Sequence, residues 1–413
     1  MAAGEREAWI IDGVRSPRGI GKKGKGSLSH LHPQRILAQV LQSLQERVGF
    51  EPADVNDVVT GNGSNVGDHA HDIGRMAVLD AGWPITVPGV TLNRFCGSGQ
   101  QAVTFAAMGI LAGHQDLVIG AGVESMSHFT ANGTDGFHAN NAHLLDLHPQ
   151  IPQGISADLI ASIDGSTRQD CDALALESQR RAAVAIAEGR FERSVVAIRN
   201  EDGTVALDHD EFPRPGTTLE DLAQLKPSFE KLGGGTMTQA EGASFLDLAA
   251  KKYPGVDITH VHHAGNSSGV VDGASAIVLA SPAYARAHGL TPRARVVMSA
   301  VAASEPLIML TAPGPAAQLC LQRAGMTIGD IDLFEVNEAF ASVVLRFFRD
   351  TGANPERVNV NGGAIALGHP IGATGAMLIQ TVLDELERRD LQTGLVAMCT
   401  GGGMGTATII ERV

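Results

Sequence analysis

Short apolar runs alternate along the chain with segments whose apolar residues recur every three or four positions. The runs have the length and β-branched content of buried strands. In the first third of the chain they are AWIIDGV (8–14), VVTG (58–61), TVPGVTL (86–92) and DLVIGAG (116–122). Between them, apolar residues such as Ile36, Val40 and Leu44 recur at the spacing of one helix face. This alternation predicts an α/β unit in which helices cover a sheet.

The C-terminal part of the chain repeats this order of elements. The corresponding segments are ARVVMSAVA (294–302), IDLFEV (331–336), VNVNGGA (358–364), TGLVAMCTGGG (393–403) and ATIIERV (407–413), the last of which matches ASAIVLAS (274–281). Matched segments lie roughly 275 residues apart along the chain, except in the first and last pairs. Two α/β halves related by duplication are the simplest account of this repeat.

The stretch between the two halves does not repeat. It begins with the polar segment HFTANGTDGFHANNAH (128–143) and continues with helical patterns. We interpret it as a cap inserted into the first half, and a cap beside two glycine-rich halves commonly forms a substrate cleft. The predicted domains are an N-terminal half of residues 1–127 with 266–290, an inserted cap of residues 128–265, and a C-terminal half of residues 291–413.

Composition narrows the possible classes of function. The 413 residues include 31 Lys and Arg against 45 Asp and Glu, a formal charge of −14, and 44% are hydrophobic, which excludes a disordered chain. An acidic balance without a basic cluster argues against nucleic acid as a ligand. No membrane-spanning segment or signal peptide is visible. Four scattered cysteines do not form a disulfide framework, so we predict a cytoplasmic protein.

The 49 glycines cluster where apolar runs end, and two of these clusters carry a reactive side chain. Cys96, in NRFCGSGQQAV, ends a strand-like run and opens a helix, where free backbone N–H groups and the helix dipole stabilise a thiolate. His369, in GHPIGATGA, occupies the corresponding position of the second half. A pseudo-twofold relation would bring the two helix starts face to face, and a thiol and an imidazole there form a nucleophile–base pair.

Two further polar positions fall at the same edge of the second half. Cys399, in MCTGGGMG, follows the last internal strand, and the glycines from Gly401 onward can offer backbone N–H groups to an oxyanion. Asn337, in FEVNEAFAS, follows the second strand. Because open α/β sheets bind ligands at the carboxyl ends of their strands, these residues are predicted to share one site.

These motifs strongly resemble the thiolase family. NRFCGSG, VNEAF, GHPIGATGA, CTGGGMGTA and the segment GNSSGVVDGASA (265–276) occur in the order and spacing of that family, over nearly the whole chain. The resemblance implies two βαβαβαββ halves in a layered α/β arrangement, with an inserted loop domain. The likeness is greatest to degradative 3-ketoacyl-CoA thiolases of the kind that form the β subunit of a trifunctional fatty-acid-oxidation complex.

The resemblance also implies a role for each residue. Cys96 would attack the 3-keto carbonyl, His369 would accept its proton, and Cys399 would protonate the departing carbanion of acetyl-CoA. Asn337 would hold a water that forms one oxyanion site with His369, and the N–H groups of Cys96 and Gly401 would form the other. Coenzyme A would be a co-substrate, with acyl-CoA as the other ligand, and neither a metal nor a permanently bound cofactor is expected.

Carried over from the same family, Ser268 would contact the pantetheine of CoA, with Ala339 and Phe340 lining the channel beside it. Lys226 falls where many members have an arginine near the adenine nucleotide, and a lysine keeps the charge but loses the flat guanidinium. Gln153 stands where the biosynthetic pattern often has Met. We therefore expect acyl chains longer than, or different from, that of acetoacetyl-CoA.

Several alternatives stay open at this point. The enzyme could be a biosynthetic acetyl-CoA acetyltransferase, and a catalytically silent lipid-binding relative is a hypothesis of another class. A decarboxylating ketoacyl synthase is disfavoured by the second cysteine, Cys399. His260, His262 and His263 could suggest zinc, but no acidic partner is visible nearby, so polar lining of the cleft or a structural role is expected.

We predict a homodimer formed through the apolar strand in TVPGVTLNRF, since an uncovered edge strand is an aggregation hazard. The resemblance adds a possible partner, the hydratase/dehydrogenase α subunit of the trifunctional complex.

Overall fold

The computed structural model describes residues 6–129, 141–235 and 242–413, so most of the polar segment 128–143 lies outside the described residues. The strands are β1 (Trp9–Arg15), β2 (Gly19–Ile20), β3 (Asp57–Gly61), β4 (Gly89–Leu92), β5 (Leu117–Ser125), β6 (Ile198–Arg199), β7 (Val205–Leu207), β8 (Val271–Ala280), β9 (Ala294–Ala303), β10 (Leu333–Val336), β11 (Thr393–Thr400) and β12 (Met404–Arg412). The α-helices are α1 (Pro33–Val48), α2 (Ile73–Asp80), α3 (Ser98–Ala112), α4 (Ala142–Leu147), α5 (Gln153–Asp164), α6 (Arg168–Ala187), α7 (Leu219–Ala223), α8 (Glu230–Gly233), α9 (Phe245–Lys252), α10 (Pro282–Ala287), α11 (Pro313–Ala324), α12 (Ala341–Thr351), α13 (Ala364–Leu367) and α14 (Ile371–Arg389).

Ten strands form one mixed sheet in the order β10-β11-β12-β9-β1-β8-β5-β3-β4, with β2 beside β8. From its centre the sheet repeats in both directions. β1 and β9 are neighbours at the centre. On one side β1 pairs with β8 and β8 with β5, both antiparallel, and on the other side β9 pairs with β12 and β12 with β11, both antiparallel. The parallel pairs β5–β3 and β11–β10 then follow. This arrangement confirms the predicted duplicated α/β fold.

Side-chain alternation along the strands places helices on both faces. Val58 of β3 packs in a cluster with α1 and α2, whereas its neighbour Val59 packs in a central cluster with α3 and α14. In the second half, Phe334 of β10 packs with α11 and α12, and Leu333 joins the central cluster. The helices α3 and α14 therefore lie between the strands of the two halves.

The second half lacks one predicted strand, because VNVNGGA (358–364) is not extended. Val358 makes a single parallel bridge with Phe334, and Asn359 has a φ of 50°, a left-handed conformation that ends a strand. The Asn359 side chain instead bonds both main-chain groups of Val336, accepting from its N–H at 2.7 Å and donating to its carbonyl at 2.8 Å. A side-chain amide thus replaces the missing strand pairing.

The starts of α3 and α14 approach each other at glycines. A Cβ at Gly99 would lie 2.6 Å from the carbonyl oxygen of Gly372, and one at Gly375 would overlap the backbone nitrogen of Gln100. Only residues without a side chain permit this crossing. Cys96 and His369 each lie two residues before one of these helices, so the crossing brings them together.

Residues 141–235 and 242–265 lie outside the large sheet, and in the described part they form α4 to α9 and a small β6–β7 sheet. The exact domain boundaries given above stay a prediction. None of the helices in the described ranges is long and apolar enough to cross a membrane.

Candidate active site

Cys96 lies in a tight turn at the start of α3. The preceding residue, Phe95, has a φ of 49°, and the hydroxyl of Ser98 holds the turn by accepting from the Arg94 N–H at 2.8 Å and donating to the Phe95 carbonyl at 2.6 Å. Gly97 packs against the end of β11, since a Cβ there would lie 2.8 Å from a methyl group of Thr400. The turn therefore holds Cys96, which is 7% exposed, beside the strand that carries Cys399.

Burial raises the pKa of the Cys96 thiol to about 12, and the negative charge of Glu124 contributes to the rise. Hydrogen bonds from the backbone N–H groups of Cys96 itself and of Gly401 lower the pKa, but by less. This result differs from the predicted stabilised thiolate, because desolvation outweighs the favourable helix start. Cys96 is thus a neutral thiol at rest, and it needs a base to become a nucleophile.

His369 has the protonation state that a base requires. The Thr374 hydroxyl donates to the Pro370 carbonyl at 3.0 Å, so it accepts from Nδ1–H of His369 at 2.6 Å. Nε2 then carries the lone pair, 3.4 Å from Nδ2 of Asn337. Burial, together with the positive charge of Arg18, lowers the pKa of His369 to about 4, so the imidazole is neutral at pH 7.

Asn337 and Cys399 lie on neighbouring strands of the second half. Asn337 directly follows β10, and its backbone N–H donates to the Ala397 carbonyl of β11 at 3.0 Å. The Asn337 Oδ1 is buried and has no hydrogen-bond partner among the described residues. Cys399 is fully buried in β11, and burial first and then the proximity of Cys96 raise the pKa of its thiol. The structure thus groups the predicted Cys96, Gly401, His369, Asn337 and Cys399.

Three of the four predicted CoA residues also lie together. The Ser268 N–H donates to the Ala339 carbonyl at 3.0 Å, and the next residue, Phe340, packs edge-on against Phe229 with ring centroids 5.9 Å apart. Ser268 is partly exposed. Lys226 is exposed and lies on the segment whose Phe229, three residues later, contacts Phe340 of this group.

Two residues of the site were missed by sequence reasoning. Glu124 is fully buried in β5 and accepts from the N–H groups of Gly63 at 2.7 Å and Gly372 at 2.9 Å, so it ties the first half to the start of α14. Burial raises the pKa of this carboxyl to about 7. An acidic residue inside an apolar strand was an available signal for Glu124. The sequence held no comparable signal for Thr374, whose hydroxyl fixes the tautomer of His369.

The histidine cluster has acidic partners, contrary to expectation. His260 and His262 both bond Asp158 at 2.7 Å, and His263 bonds Asp172 at 2.8 Å. These carboxylates lie in α5 and α6, roughly a hundred residues earlier, where sequence proximity does not show them. No group of three or more potential metal ligands occurs among residues 6–129, 141–235 and 242–413.

The chain is similar to known proteins over nearly its whole length. The family models described as thiolase N-terminal domain and thiolase C-terminal domain match residues 8–251 and 290–412. A steroid 3-ketoacyl-CoA thiolase of Mycobacterium tuberculosis is 40% identical, with 98% of this chain and 94% of that protein covered. An acetyl-CoA acetyltransferase of Cupriavidus necator is 38% identical, with 98% of each covered. The crystal structure of the Bacillus anthracis acetyl-CoA acetyltransferase superimposes with a TM-score of 0.84 at 34% identity, covering 100% of both chains. The chain belongs to the thiolase family of acyltransferases.

Proposed function

We propose that this enzyme cleaves 3-ketoacyl-CoA with CoA, through an acyl group carried on Cys96. The observation that supports this most strongly is the meeting of the two helix starts, which brings a neutral thiol and a neutral imidazole into one buried site. In the first step, Nε2 of His369 takes the proton of Cys96 and the sulfur attacks the 3-keto carbon. The tetrahedral oxyanion accepts hydrogen bonds from the backbone N–H groups of Cys96 and Gly401.

In the second step, the bond between C2 and C3 breaks and the acyl group remains on Cys96. The departing enolate of acetyl-CoA takes a proton from the Cys399 thiol, which becomes a thiolate. Protonated His369 and a water on the free Oδ1 of Asn337 stabilise the enolate oxygen. The thiol of the incoming CoA then attacks the acyl-cysteine: its proton restores Cys399, and His369 returns the first proton to Cys96.

Coenzyme A would reach this site along Ser268, Ala339 and Phe340. The partly exposed Ser268 offers its hydroxyl to the pantetheine, and the buried Phe340 forms an apolar wall. Lys226, exposed at the outer end, would meet the phosphate-bearing part of CoA as a point charge. This assignment is a proposal by family resemblance, supported by the contact between Ser268 and Ala339.

A degradative role is favoured by the apolar surroundings of Cys399. One hydrophobic cluster contains Cys399, Phe340 and side chains from the inserted region, among them Ile155, Leu159 and Leu248. The partly buried members of this cluster, among them Phe229 and Phe245, offer apolar surface to an acyl chain, and each added methylene contributes about 0.8 kcal/mol when buried.

Thiolysis assayed across 3-ketoacyl-CoA chain lengths tests the proposed function. We expect kcat/KM for a six-carbon or longer substrate to exceed that for acetoacetyl-CoA by about tenfold, from two buried methylenes. Product masses should be acetyl-CoA and an acyl-CoA two carbons shorter. A maximum at acetoacetyl-CoA would favour the biosynthetic alternative, and binding of acyl-CoA without turnover at any length would favour a silent lipid-binding protein.

We also propose that the protein is a homodimer. Within the described part of the chain β4 is an edge strand of the sheet, and α3, the helix that follows it, exposes Phe105 and Met108 by 45% and 48%. An uncovered strand edge with exposed apolar neighbours is typical of an interface. Docking of a hydratase/dehydrogenase α subunit and a cytoplasmic location stay predictions.

Light scattering of the purified chain should give the mass of a dimer. Phe105→Asp should shift it toward the monomer, because a charge would be buried in the interface. Leu147→Asp, at a residue that is 60% exposed on α4, is the matched control and should remain dimeric. A monomeric wild-type chain would contradict the dimer. Co-expression with genomic neighbours should yield a larger complex, and a homotetramer without a partner would contradict the α-subunit prediction.

A further inference from the structure

The histidine cluster has no part in the reaction proposed above, yet one of its members contacts the segments that carry the CoA residues. We propose that His262 is a positioning residue of the CoA channel, holding residues 339–342 and residues 226–229 in their relative places. This inference rests on the proposed function, because the channel is assigned there. His262 is fully buried, and both its ring nitrogens bond protein groups, Asp158 and Ser342, so it acts through its neighbours and not on substrate.

Asp158 fixes the orientation and the tautomer of His262. Asp158 is fully buried in α5, and its Oδ1 accepts from Nδ1 of His262 at 2.7 Å and from the backbone N–H groups of Val261 and His262 at 3.1 and 3.0 Å. Since this carboxylate oxygen accepts, the Nδ1 of His262 carries the proton. The Nε2 atom is therefore left with its lone pair.

That lone pair serves the start of α12. Nε2 of His262 accepts from the N–H of Ser342, the second residue of the helix, at 3.3 Å. The first N–H groups of a helix have no partner within the helix, and the residue before α12, Phe340, has no capping side chain. His262 thus caps α12 from another segment, and the cap holds the residues just before the helix, Ala339 and Phe340.

Two more contacts connect His262 to the walls of the channel. Its ring packs edge-on against Phe340, with centroids 5.6 Å apart, on a ring that also touches Phe229. Its backbone carbonyl accepts from the N–H of Ser228 at 2.9 Å, within the segment of Lys226 and Phe229. One residue therefore bonds both segments that would line CoA.

His260 provides a matched control within the same cluster. Its Nδ1 bonds the other oxygen of Asp158 at the same distance, 2.7 Å, but its side chain is 12% exposed. Within the described part of the chain it neither bonds Ser342 nor packs against the Phe340 ring. A substitution at His260 therefore disturbs Asp158 while it leaves the helix cap and the channel wall intact.

Three variants separate these contacts in thiolysis assays with varied CoA. His262→Asn keeps a donor near Nδ1 but places no acceptor at Nε2, and we expect KM for CoA to rise about tenfold with kcat within about twofold. His262→Gln places an acceptor near Nε2 but loses the ring, so KM should rise only about threefold. His260→Gln should leave both constants unchanged.

A His262→Asn enzyme with reduced kcat and unchanged KM would show a merely structural role and overturn the inference. An equal rise of KM in His260→Gln would do the same. If thermal melting shows that His262→Asn does not fold, the comparison of His262→Gln with His260→Gln decides, and equal KM values contradict the inference. Absence of thiolysis in the wild-type protein would instead contradict the proposed function, which is a distinct result.

Discussion

Replacement of Cys96 by serine is expected to reduce thiolysis by more than about 10⁴-fold without unfolding the protein. The serine hydroxyl is nearly isosteric, so the turn held by Ser98 should persist. A hydroxyl ionises far above neutral pH, and the neutral His369 is too weak a base to activate it in this desolvated site. Steady-state thiolysis and the mass of any acyl-enzyme formed with a simple acyl-CoA measure the effect.

Cys320→Ser is the matched control, because Cys320 is equally a buried thiol but lies in α11, outside the site. It should retain thiolysis within a few-fold and acquire no defect in acyl transfer. Turnover of Cys96→Ser at a rate near that of the wild-type protein would end the assignment of Cys96 as nucleophile.

Replacement of Cys399 by alanine should reduce carbon–carbon cleavage by about 10³-fold while Cys96 is still acylated by a simple acyl-CoA. Acylation needs Cys96, His369 and the N–H groups of the oxyanion site, none of which this change removes. Cleavage also needs a proton at C2 of the leaving acetyl-CoA. Cys399 can donate it, because burial first and then the proximity of Cys96 raise the pKa of its thiol and keep it protonated.

Two measurements distinguish these steps. Mass spectrometry follows the acyl group on Cys96, and exchange of the α-protons of acetyl-CoA in deuterated water follows the acid–base step. We expect normal acylation and loss of exchange in Cys399→Ala. Exchange at the wild-type rate would show that another residue transfers the proton.

Much of the fold was predictable because the chain repeats itself. The strand runs are apolar enough to be located individually, and the repeat then relates Cys96 to His369 across 273 positions, the difference between residues 369 and 96. The missing third strand of the second half was not predictable in this way. There Asn359 takes a left-handed conformation and pairs through its side chain, and β-like composition does not reveal that choice.

The electrostatics of the site depended on contacts that sequence spacing does not contain. The thiolate predicted at Cys96 is a neutral thiol in the structure, because the extent of burial and the charge of Glu124 are properties of the packed state. The acidic partner of His262 is likewise invisible from its neighbours, since Asp158 reaches it from another helix. The sequence therefore predicted which of these residues the structure brings together, but it did not predict the protonation state of Cys96.

The crossing of α3 and α14 also has a consequence for biosynthesis. Side chains of α3 such as Ala102 and Ile110 belong to the cluster that α14 completes, and α14 lies near the end of the chain. At about 5–20 residues per second, synthesis of the 273 residues between Cys96 and His369 takes roughly 15 to 55 s. Throughout that time the nascent first half carries an uncovered apolar helix and a nucleophile without its base. We therefore expect the emerging polypeptide to be inactive and prone to aggregation until α14 has left the ribosome, and to need protection by chaperones during that time.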